Sequence, residues 1–445
     1  MDHISDDAAV MHHSGAPGAP DTRLSRRVSS WALRSSPGGA AGAPGAADPR
    51  APDGDTLGAH AARQVLRLCE AAGLSGPDSA GYARTLLTVL GPAAERPLHL
   101  PPPDESFLSD DHTPVEFSLS FVPDGEPTLR VLLEPGYGAD SLAQNGRTGL
   151  RVVREMARRW GFDTTRLDGL EDLFFPPDPQ GPLALWCALE LLPGGVPRVK
   201  VYLNPAASGQ ERSAETVREA LRRLGHRKAF ASLPEGDRHL FFALDLGDWE
   251  EPRVKVYLAH HDLSAAEAAG LSRVDGGSGR PQVRRFFRTA AGHGADPCGL
   301  GTGHGADPCG LDADGLDGNG HGNGPDLRLD RRPVQSCHSF TETASGRPSG
   351  FTLYVPVRDY ARHDGEALDR AVAVLGRHGM DTGPLLRSLA AVTSRPLEDG
   401  VGLIAYLGLA HQQGRPPRVT AYISSEAYAV RPPAAAPAAR PEAVR

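Results

Sequence analysis

A recurring eight-residue pattern places basic and aromatic side chains two residues apart. Its copies are RVKVYLNP (198–205), RVKVYLAH (253–260), RVTAYISS (418–425) and, more loosely, TLRVLLEP (128–135) and GFTLYVPV (350–357). In an extended strand, residues i, i+2 and i+4 share one face. Arg198, Lys200 and Tyr202 therefore point to one side of their strand, and the intervening valines point to the other.

Such a face predicts a particular chemistry. Clustered arginines and lysines are costly to bury unless an anion lies among them. Tyrosine rings interleaved with them offer π-faces that can stabilise a cation. A single strand of this kind is more often the solvent-facing side of an open sheet. Repetition at matching positions favours a shared functional surface that holds an anion and a cation together.

The surrounding pattern indicates how this face is positioned. Each copy follows an earlier apolar stretch, and a turn signal such as PDGEP or PGGVP often separates the two, which is typical of β-hairpins. The apolar stretches are 115–122, 183–192, 239–246, 336–343 and 401–410. Helical patterns lie between the hairpins, at 57–74, 79–91, 141–160, 213–225, 365–379 and 383–393.

This order predicts an α+β fold in which ten antiparallel strands form five αββα repeats. A closed barrel removes the sheet edges and suits the strand count. If helices form an outer ring, the apolar face of each strand points outward to them. The charged and aromatic face then lines a polar lumen.

The composition predicts one folded domain with flexible additions. The 445 residues include 52 glycines and 40 prolines, an excess that is concentrated in three segments. We predict a disordered leader (1–55), a single domain (56–430) and a disordered tail (431–445). Within the domain, 291–326 holds a tandem copy, GHGADPCGLGT and GHGADPCGLDA, and is predicted to be a flexible insertion. Its histidines, cysteines and aspartates match no zinc or EF-hand spacing.

Charge, hydropathy and cysteine content exclude some classes of partner and indicate a cellular location. The net charge of −8 argues against non-specific binding to nucleic acid or to an anionic membrane. The sequence contains no run of 18 apolar residues, so no transmembrane helix is expected. The five cysteines are scattered and odd in number, which favours a reducing cytoplasm.

The ordered part of the sequence resembles the aromatic prenyltransferases of the dimethylallyltryptophan synthase type. The resemblance rests on SFLSDDHTPVEFSLSF (106–121) followed by the five recurring strands, and it spans about 56–430 without the insertion. The Gly-, Ala- and Arg-rich composition is similar to that of actinobacterial members. The family's fold is the ABBA barrel, which agrees with the architecture predicted above.

The resemblance implies roles for individual residues. Glu116 matches the catalytic glutamate that accepts a hydrogen bond from the indole N–H. The diphosphate ligands implied are Arg130, Lys200, Arg253, Lys255, Thr352 and Arg418. The residues implied to surround the allylic cation, here called the tyrosine shield, are Tyr202, Tyr257, Tyr354 and Tyr422. Leu132 replaces a tyrosine in the first repeat.

One role is less defined by the resemblance. Fungal members carry a lysine near the end of the strand before the second repeat, where this chain has LALWCALELLPGG. Glu190 is the nearest ionisable group and is our candidate for the final base. Asp110 and Asp111 lack the third aspartate of a DDxxD magnesium motif, so no metal or other cofactor is expected to be required.

The resemblance thus implies transfer of a dimethylallyl group from dimethylallyl diphosphate to an indole ring carbon, most simply of L-tryptophan, in secondary metabolism such as alkaloid biosynthesis. A tryptophan-containing cyclic dipeptide, tyrosine or another indole or phenol is an alternative acceptor. A non-catalytic barrel that binds an anion is an alternative of another class. The protein is expected to be a monomer or homodimer.

Overall fold

The computed structural model describes residues 55–247, 249–274, 279–292 and 328–434. The predicted leader and tail, apart from Asp55 and 431–434, lie outside these ranges. So does nearly all of the predicted insertion, including Cys298 and Cys309. No helix in the described part of the chain is both long enough and apolar enough to cross a membrane.

Ten antiparallel strands close into a barrel, as the sequence predicted. They are β1 (Val115–Phe121), β2 (Thr128–Leu133), β3 (Leu185–Glu190), β4 (Arg198–Leu203), β5 (Arg238–Leu246), β6 (Val254–His260), β9 (Val334–Phe340), β10 (Gly350–Val355), β11 (Ile404–Gln412) and β12 (Arg418–Ser424). Each strand pairs with the next along the chain, and β12 closes the ring against β1. The short strands β7 (Leu263–Ser264) and β8 (Arg328–Leu329) form a separate sheet outside the barrel, between β6 and β9 in sequence.

The helices cover the outer surface of the barrel. They are α1 (Leu57–Ala71), α2 (Gly76–Leu90), α3 (Leu142–Trp160), α4 (Thr165–Asp168), α5 (Glu171–Phe174), α6 (Ser213–Arg223), α7 (Ala265–Gly270), α8 (Arg280–Ala290), α9 (Asp364–Arg377) and α10 (Gly383–Val392). The six predicted helices are present with end shifts of a few residues. For example, α2 begins before residue 79 because the Ser75 side chain caps it and a proline occupies its first turn.

The helices α7 and α8, like the short helices α4 and α5, are not among the predicted ones. The sequence of α8, RPQVRRFFRTA, is rich in arginine and has few apolar residues, so its period is hard to recognise. Its buried residues include Val283, Phe286 and Phe287, which join the main hydrophobic core. With α7, it supplies the outer layer between the third and fourth hairpins.

Strand alternation separates two environments. Outward-facing residues such as Phe117, Leu119 and Val201 belong to the large core between the barrel and the helices. Inward-facing residues such as Trp186, Tyr257 and Tyr422 belong to a second cluster inside the barrel. The polar face of each recurring strand therefore lines the lumen. This arrangement is the reverse of a small barrel packed with apolar side chains.

Candidate active site

The lumen has two chemically distinct levels along each recurring strand. In β4 and β6 the basic residues come first and the tyrosine follows, and in β12 Arg418 precedes Tyr422 by four residues. These strands run parallel to one another, as alternate members of the antiparallel barrel. Equivalent positions in them therefore lie toward the same end of the lumen. Basic side chains therefore collect toward one end of the lumen and tyrosines further in.

The basic end holds a set of side chains here called the cation cradle. Its members are Arg130, Arg198, Lys200, Arg253, Lys255 and Arg418. Arg198 is half-buried at the rim, whereas the other five are buried. Thr352 also faces the lumen from β10, since its neighbours Phe351 and Leu353 pack outward. The structure therefore brings all six predicted diphosphate ligands to the inner face of the barrel.

Two buried carboxylates interrupt the cradle. Glu190 lies between two arginines, with Oε2 3.0 Å from Arg130 Nε and Oε1 3.0 Å from Arg198 Nη1. The register explains these contacts, because Glu190 is directly opposite Arg130 on one side and Arg198 on the other. The candidate base is thus engaged in two ion pairs at the basic end of the lumen.

The second carboxylate, Asp245, was not singled out from the sequence. It is opposite Lys200 in the sheet, and its Oδ1 lies 3.4 Å from Lys200 Nζ. Its Oδ2 accepts from Arg253 Nε at 2.8 Å. Burial acts to raise the pKa of Asp245, but Arg253, Lys200 and Lys255 together hold it below its ordinary value. The neighbouring cations therefore favour the ionised form of Asp245.

A tryptophan covers this end of the lumen. Trp249 lies in the turn between β5 and β6, and its indole Nε1 donates to the carbonyl oxygens of Val199 (3.0 Å) and Leu246 (2.8 Å). Its ring lies 5.3–5.5 Å from the cationic groups of three cradle residues. They are Arg198, Lys200 and Arg253. Such contacts stabilise the clustered positive charge.

The four predicted shield tyrosines form a continuous arc. Ring centroids are 5.9 Å apart for Tyr202 and Tyr257, 6.2 Å for Tyr257 and Tyr354, and 5.9 Å for Tyr354 and Tyr422. Phe241 extends the arc, with its centroid 5.6 Å from that of Tyr257. An arc of π-faces beside a cation cradle can surround a carbocation and keep water away from it.

Glu116 projects from β1 into the lumen, since its neighbours Val115 and Phe117 pack outward. It is 1% exposed, and neither carboxylate oxygen has a hydrogen-bond partner in the described part of the chain. Burial raises the pKa of Glu116 well above its ordinary value, and the charge of Arg358 opposes that rise. An unpartnered buried acceptor is costly by itself. Glu116 is therefore suited to accept a hydrogen bond from a ligand.

Arg358 lies in a polar network outside the cradle. Its Nε is 3.0 Å from Asp110 Oδ2, and its guanidinium lies 5.1 Å from the Tyr406 ring centroid. Arg332 Nη2 binds the other oxygen of Asp110 at 3.1 Å. Burial lowers the pKa of Arg358 to about 9. Asp110, which the sequence raised as half of an incomplete metal motif, is thus a partner of three arginines, since Arg431 Nη1 also lies 3.6 Å from its Oδ2.

Sequence reasoning missed Asp245, Trp249 and Arg358 as site residues. The sequence HLFFALDL could have identified Asp245, because a charged residue in a mostly apolar strand is expected to face the polar lumen. Trp249 is in a turn, where no periodicity assigns a direction. Within the described ranges, no group of three or more His, Cys, Asp or Glu side chains could hold a metal ion.

A closed ten-stranded barrel with a cationic and aromatic lumen defines the class of ABBA prenyltransferases, and the comparisons agree with it. A family model described as tryptophan dimethylallyltransferase matches residues 80–384. This chain belongs to the tryptophan dimethylallyltransferase family and is a prenyltransferase.

Solved structures of relatives extend this result. The prenyltransferase PriB, in a ternary complex with L-tryptophan and dimethylallyl thiolodiphosphate, is 59% identical, with a TM-score of 0.76. That match covers 85% of this chain and 99% of that chain. The 5-dimethylallyl tryptophan synthase from Streptomyces coelicolor, in complex with DMASPP and Trp, is 60% identical with a TM-score of 0.76, covering 87% and 100%.

A more distant relative is 6-dimethylallyltryptophan synthase from Micromonospora olivasterospora, also in complex with DMASPP and Trp. It is 39% identical with a TM-score of 0.71, and the match covers 85% of this chain and 99% of that chain. The recognition of an actinobacterial-type member of this family from the sequence is confirmed by these matches.

Proposed function

We propose that this protein transfers a dimethylallyl group from dimethylallyl diphosphate to a ring carbon of the indole of L-tryptophan. The observation that carries the proposal is Glu116, a buried carboxylate without a hydrogen-bond partner in the described chain, which projects into a lumen lined by tyrosines. An anion-binding barrel needs neither feature. The substrates of the relatives named above support the same pair of reactants.

The reaction begins with cleavage of the allylic C–O bond. The electron pair leaves with the diphosphate, whose growing charge is stabilised by the cation cradle through charge-assisted hydrogen bonds. Thr352 adds a polar contact at this end of the lumen. Because the cradle neutralises the leaving group, magnesium is not required for ionisation in this proposal.

The dimethylallyl cation then remains beside the tyrosine shield. The π-faces of Tyr202, Tyr257, Tyr354 and Tyr422 stabilise its positive charge. They also exclude water, which would convert it to an alcohol. The shield thus decides whether the cation lasts long enough to meet the acceptor.

The indole attacks the cation through a ring carbon, and a C–C bond forms. Glu116, when ionised, accepts the indole N–H hydrogen bond and increases the electron density of the ring. The ring proton at the attacked carbon then leaves to a base, which restores aromaticity. Glu190 as this base stays a prediction; its two ion pairs with arginines favour a different role, considered below.

The position of attack is part of the proposal. The names of two relatives support carbon 5 or carbon 6 of the indole. We further propose a cytoplasmic location and one catalytic domain over 56–430. Supporting the location, Cys69, Cys187 and Cys337 are buried and none is in a disulfide in the described part of the chain.

An acceptor panel tests the proposal. The protein is incubated with dimethylallyl diphosphate and L-tryptophan, L-tyrosine, indole or tryptophan-containing cyclic dipeptides, and products are identified by mass spectrometry and NMR. We expect L-tryptophan to be used most efficiently and to be substituted in its six-membered ring. Preference for a cyclic dipeptide or a phenol would show that L-tryptophan is not the acceptor. If no aromatic compound gave a product, the protein would instead be a non-catalytic barrel that binds an anion.

A further inference from the structure

We propose that Asp245 is a positioning residue for the diphosphate, because it holds Arg253 and Lys200 in fixed orientations within the cation cradle. The inference rests on the proposed function, since it assigns the cradle to the diphosphate of the donor.

The contacts of Asp245 divide its two oxygens between neighbouring strands. Oδ2 accepts from the backbone N–H of Arg253 at 3.2 Å and from its Nε at 2.8 Å, while Oδ1 lies 3.4 Å from Lys200 Nζ. Lys200 is on β4 and Arg253 precedes β6, so Asp245 on β5 links the cations on either side of it. The Arg253 Nε contact takes one of the five N–H donors of the guanidinium.

A carboxylate that links two cations should stabilise and orient them. Cations clustered in a buried lumen repel one another, and their long side chains have many rotamers. A carboxylate between them reduces the repulsion and restricts the rotamers before the ligand arrives. Preorganised donors cost no reorganisation during the reaction, so this restriction favours ionisation of the bound donor.

The barrel contains the same arrangement a second time. Glu190 on β3 links Arg130 on β2 with Arg198 on β4, at 3.0 Å on each side. Trp249 then lies over Arg198 from one link and over Lys200 and Arg253 from the other. A carboxylate between two cations of adjacent strands is therefore a repeated element of the cradle, which argues against an incidental contact.

Two variants separate orientation from charge. Asp245→Asn keeps the volume of the side chain and removes its charge. Asp245→Glu keeps the charge and moves the carboxylate by one methylene. We expect both to weaken the binding of inorganic pyrophosphate, measured by calorimetry, and to raise KM for dimethylallyl diphosphate, by about tenfold or more for Asp245→Asn. The Kd for L-tryptophan should stay within about twofold of the wild type.

Each other outcome overturns the inference. Unchanged pyrophosphate binding by Asp245→Asn would mean that Asp245 does not position the cations, and tighter binding would mean that net charge, and not orientation, controls affinity. Wild-type behaviour of Asp245→Glu would lead to the same conclusion. Equal losses for both substrates, or loss of the folded state in both variants by circular dichroism, would assign Asp245 to stability. If the wild type itself binds no pyrophosphate, the proposed function fails first, and the two failures are distinguished.

Discussion

The rings of Tyr354 and Tyr422 meet edge to face with their centroids 5.9 Å apart, although a whole strand, β11, separates their backbones. On β11, Gly408 is directly opposite Tyr354, and Tyr406 is opposite Tyr422. A Cβ atom at this position would lie 3.1 Å from Tyr354 Cδ1 and 3.7 Å from Tyr422 Cε2. The absence of a side chain at residue 408 therefore permits this part of the tyrosine shield to close.

Substitution of that glycine should damage the shield without unfolding the barrel. In Gly408→Ala the new methyl group displaces the Tyr354 ring by a few tenths of an ångström, and we expect kcat to fall by about tenfold. Gly376→Ala in α9 is the matched control, because its Cβ would meet no atom within 4 Å. The control should be fully active and slightly more stable. Unchanged kcat in Gly408→Ala would show that this spacing does not matter.

The tyrosine shield makes a separate prediction about products. Tyr257→Phe keeps the π-face, so the ratio of prenylated tryptophan to dimethylallyl alcohol should be close to that of the wild type. Tyr257→Leu removes the face and should divert a larger share of the donor to the alcohol, because water then reaches the cation. Both products are quantified from one reaction by chromatography. An equal ratio in the two variants would argue against cation stabilisation by this ring.

Glu116 should be essential for activity and unfavourable for stability. We expect Glu116→Gln to lower kcat/KM for tryptophan by about a hundredfold or more, since an amide oxygen accepts the N–H bond without a charge. Because the pKa of Glu116 is raised in the folded state, folding favours its protonated form, and this contribution to stability is lost as pH rises through that pKa. The variant should therefore be more stable than the wild type at about pH 8, by about 1 kcal/mol, with a smaller difference in acid.

A second buried carboxylate provides the contrast. Both oxygens of Glu134 accept hydrogen bonds, from Ser106 Oγ at 2.6 Å and Asn145 Nδ2 at 2.7 Å. Glu134→Gln replaces one of these two acceptor oxygens with an NH2 group, which cannot accept a hydrogen bond, so it should lower the melting temperature where Glu116→Gln raises it. If both variants were destabilised equally at alkaline pH, Glu116 would not be the unpartnered group described here.

Arg358 should control the pH at which Glu116 becomes active. The positive charge of Arg358 lowers the pKa of Glu116, so Arg358→Gln leaves that pKa still higher. The reaction needs ionised Glu116, and the acidic limb of the kcat/KM profile for tryptophan should therefore move to higher pH. Arg332→Gln, which removes another arginine bound to Asp110, is the control and should leave this limb in place. A shift of equal size in both variants would assign the effect to the network as a whole.

Much of the fold could be predicted from the sequence because the recurring strand encodes both its faces. Arg253, Lys255 and Tyr257 alternate with valines, so the inward face follows from the existence of an outer helix layer. The closed barrel followed from the number of hairpins. The helix α8 could not be predicted with equal ease, since only three large apolar residues of its buried face stand among its arginines.

The connections within the site required the register of the strands. Glu190 appeared as an isolated ionisable group, and only its position opposite both Arg130 and Arg198 reveals its ion pairs. Asp245 likewise gains its meaning from its place opposite Lys200. Sequence patterns gave the direction of these side chains, whereas the partners depend on which residues the closed sheet brings side by side.

In the proposed reaction, the cation cradle stabilises the departing diphosphate, and Glu116 and the tyrosine shield direct the resulting cation to tryptophan. The most direct measurement follows diphosphate and prenylated tryptophan together in a single turnover of the wild-type protein with excess EDTA. We predict that one diphosphate is released for each prenylated tryptophan formed. We also predict that the rate does not increase when magnesium is added in excess of the EDTA. Diphosphate release without an aromatic product, or turnover that depends strictly on magnesium, would contradict the claim.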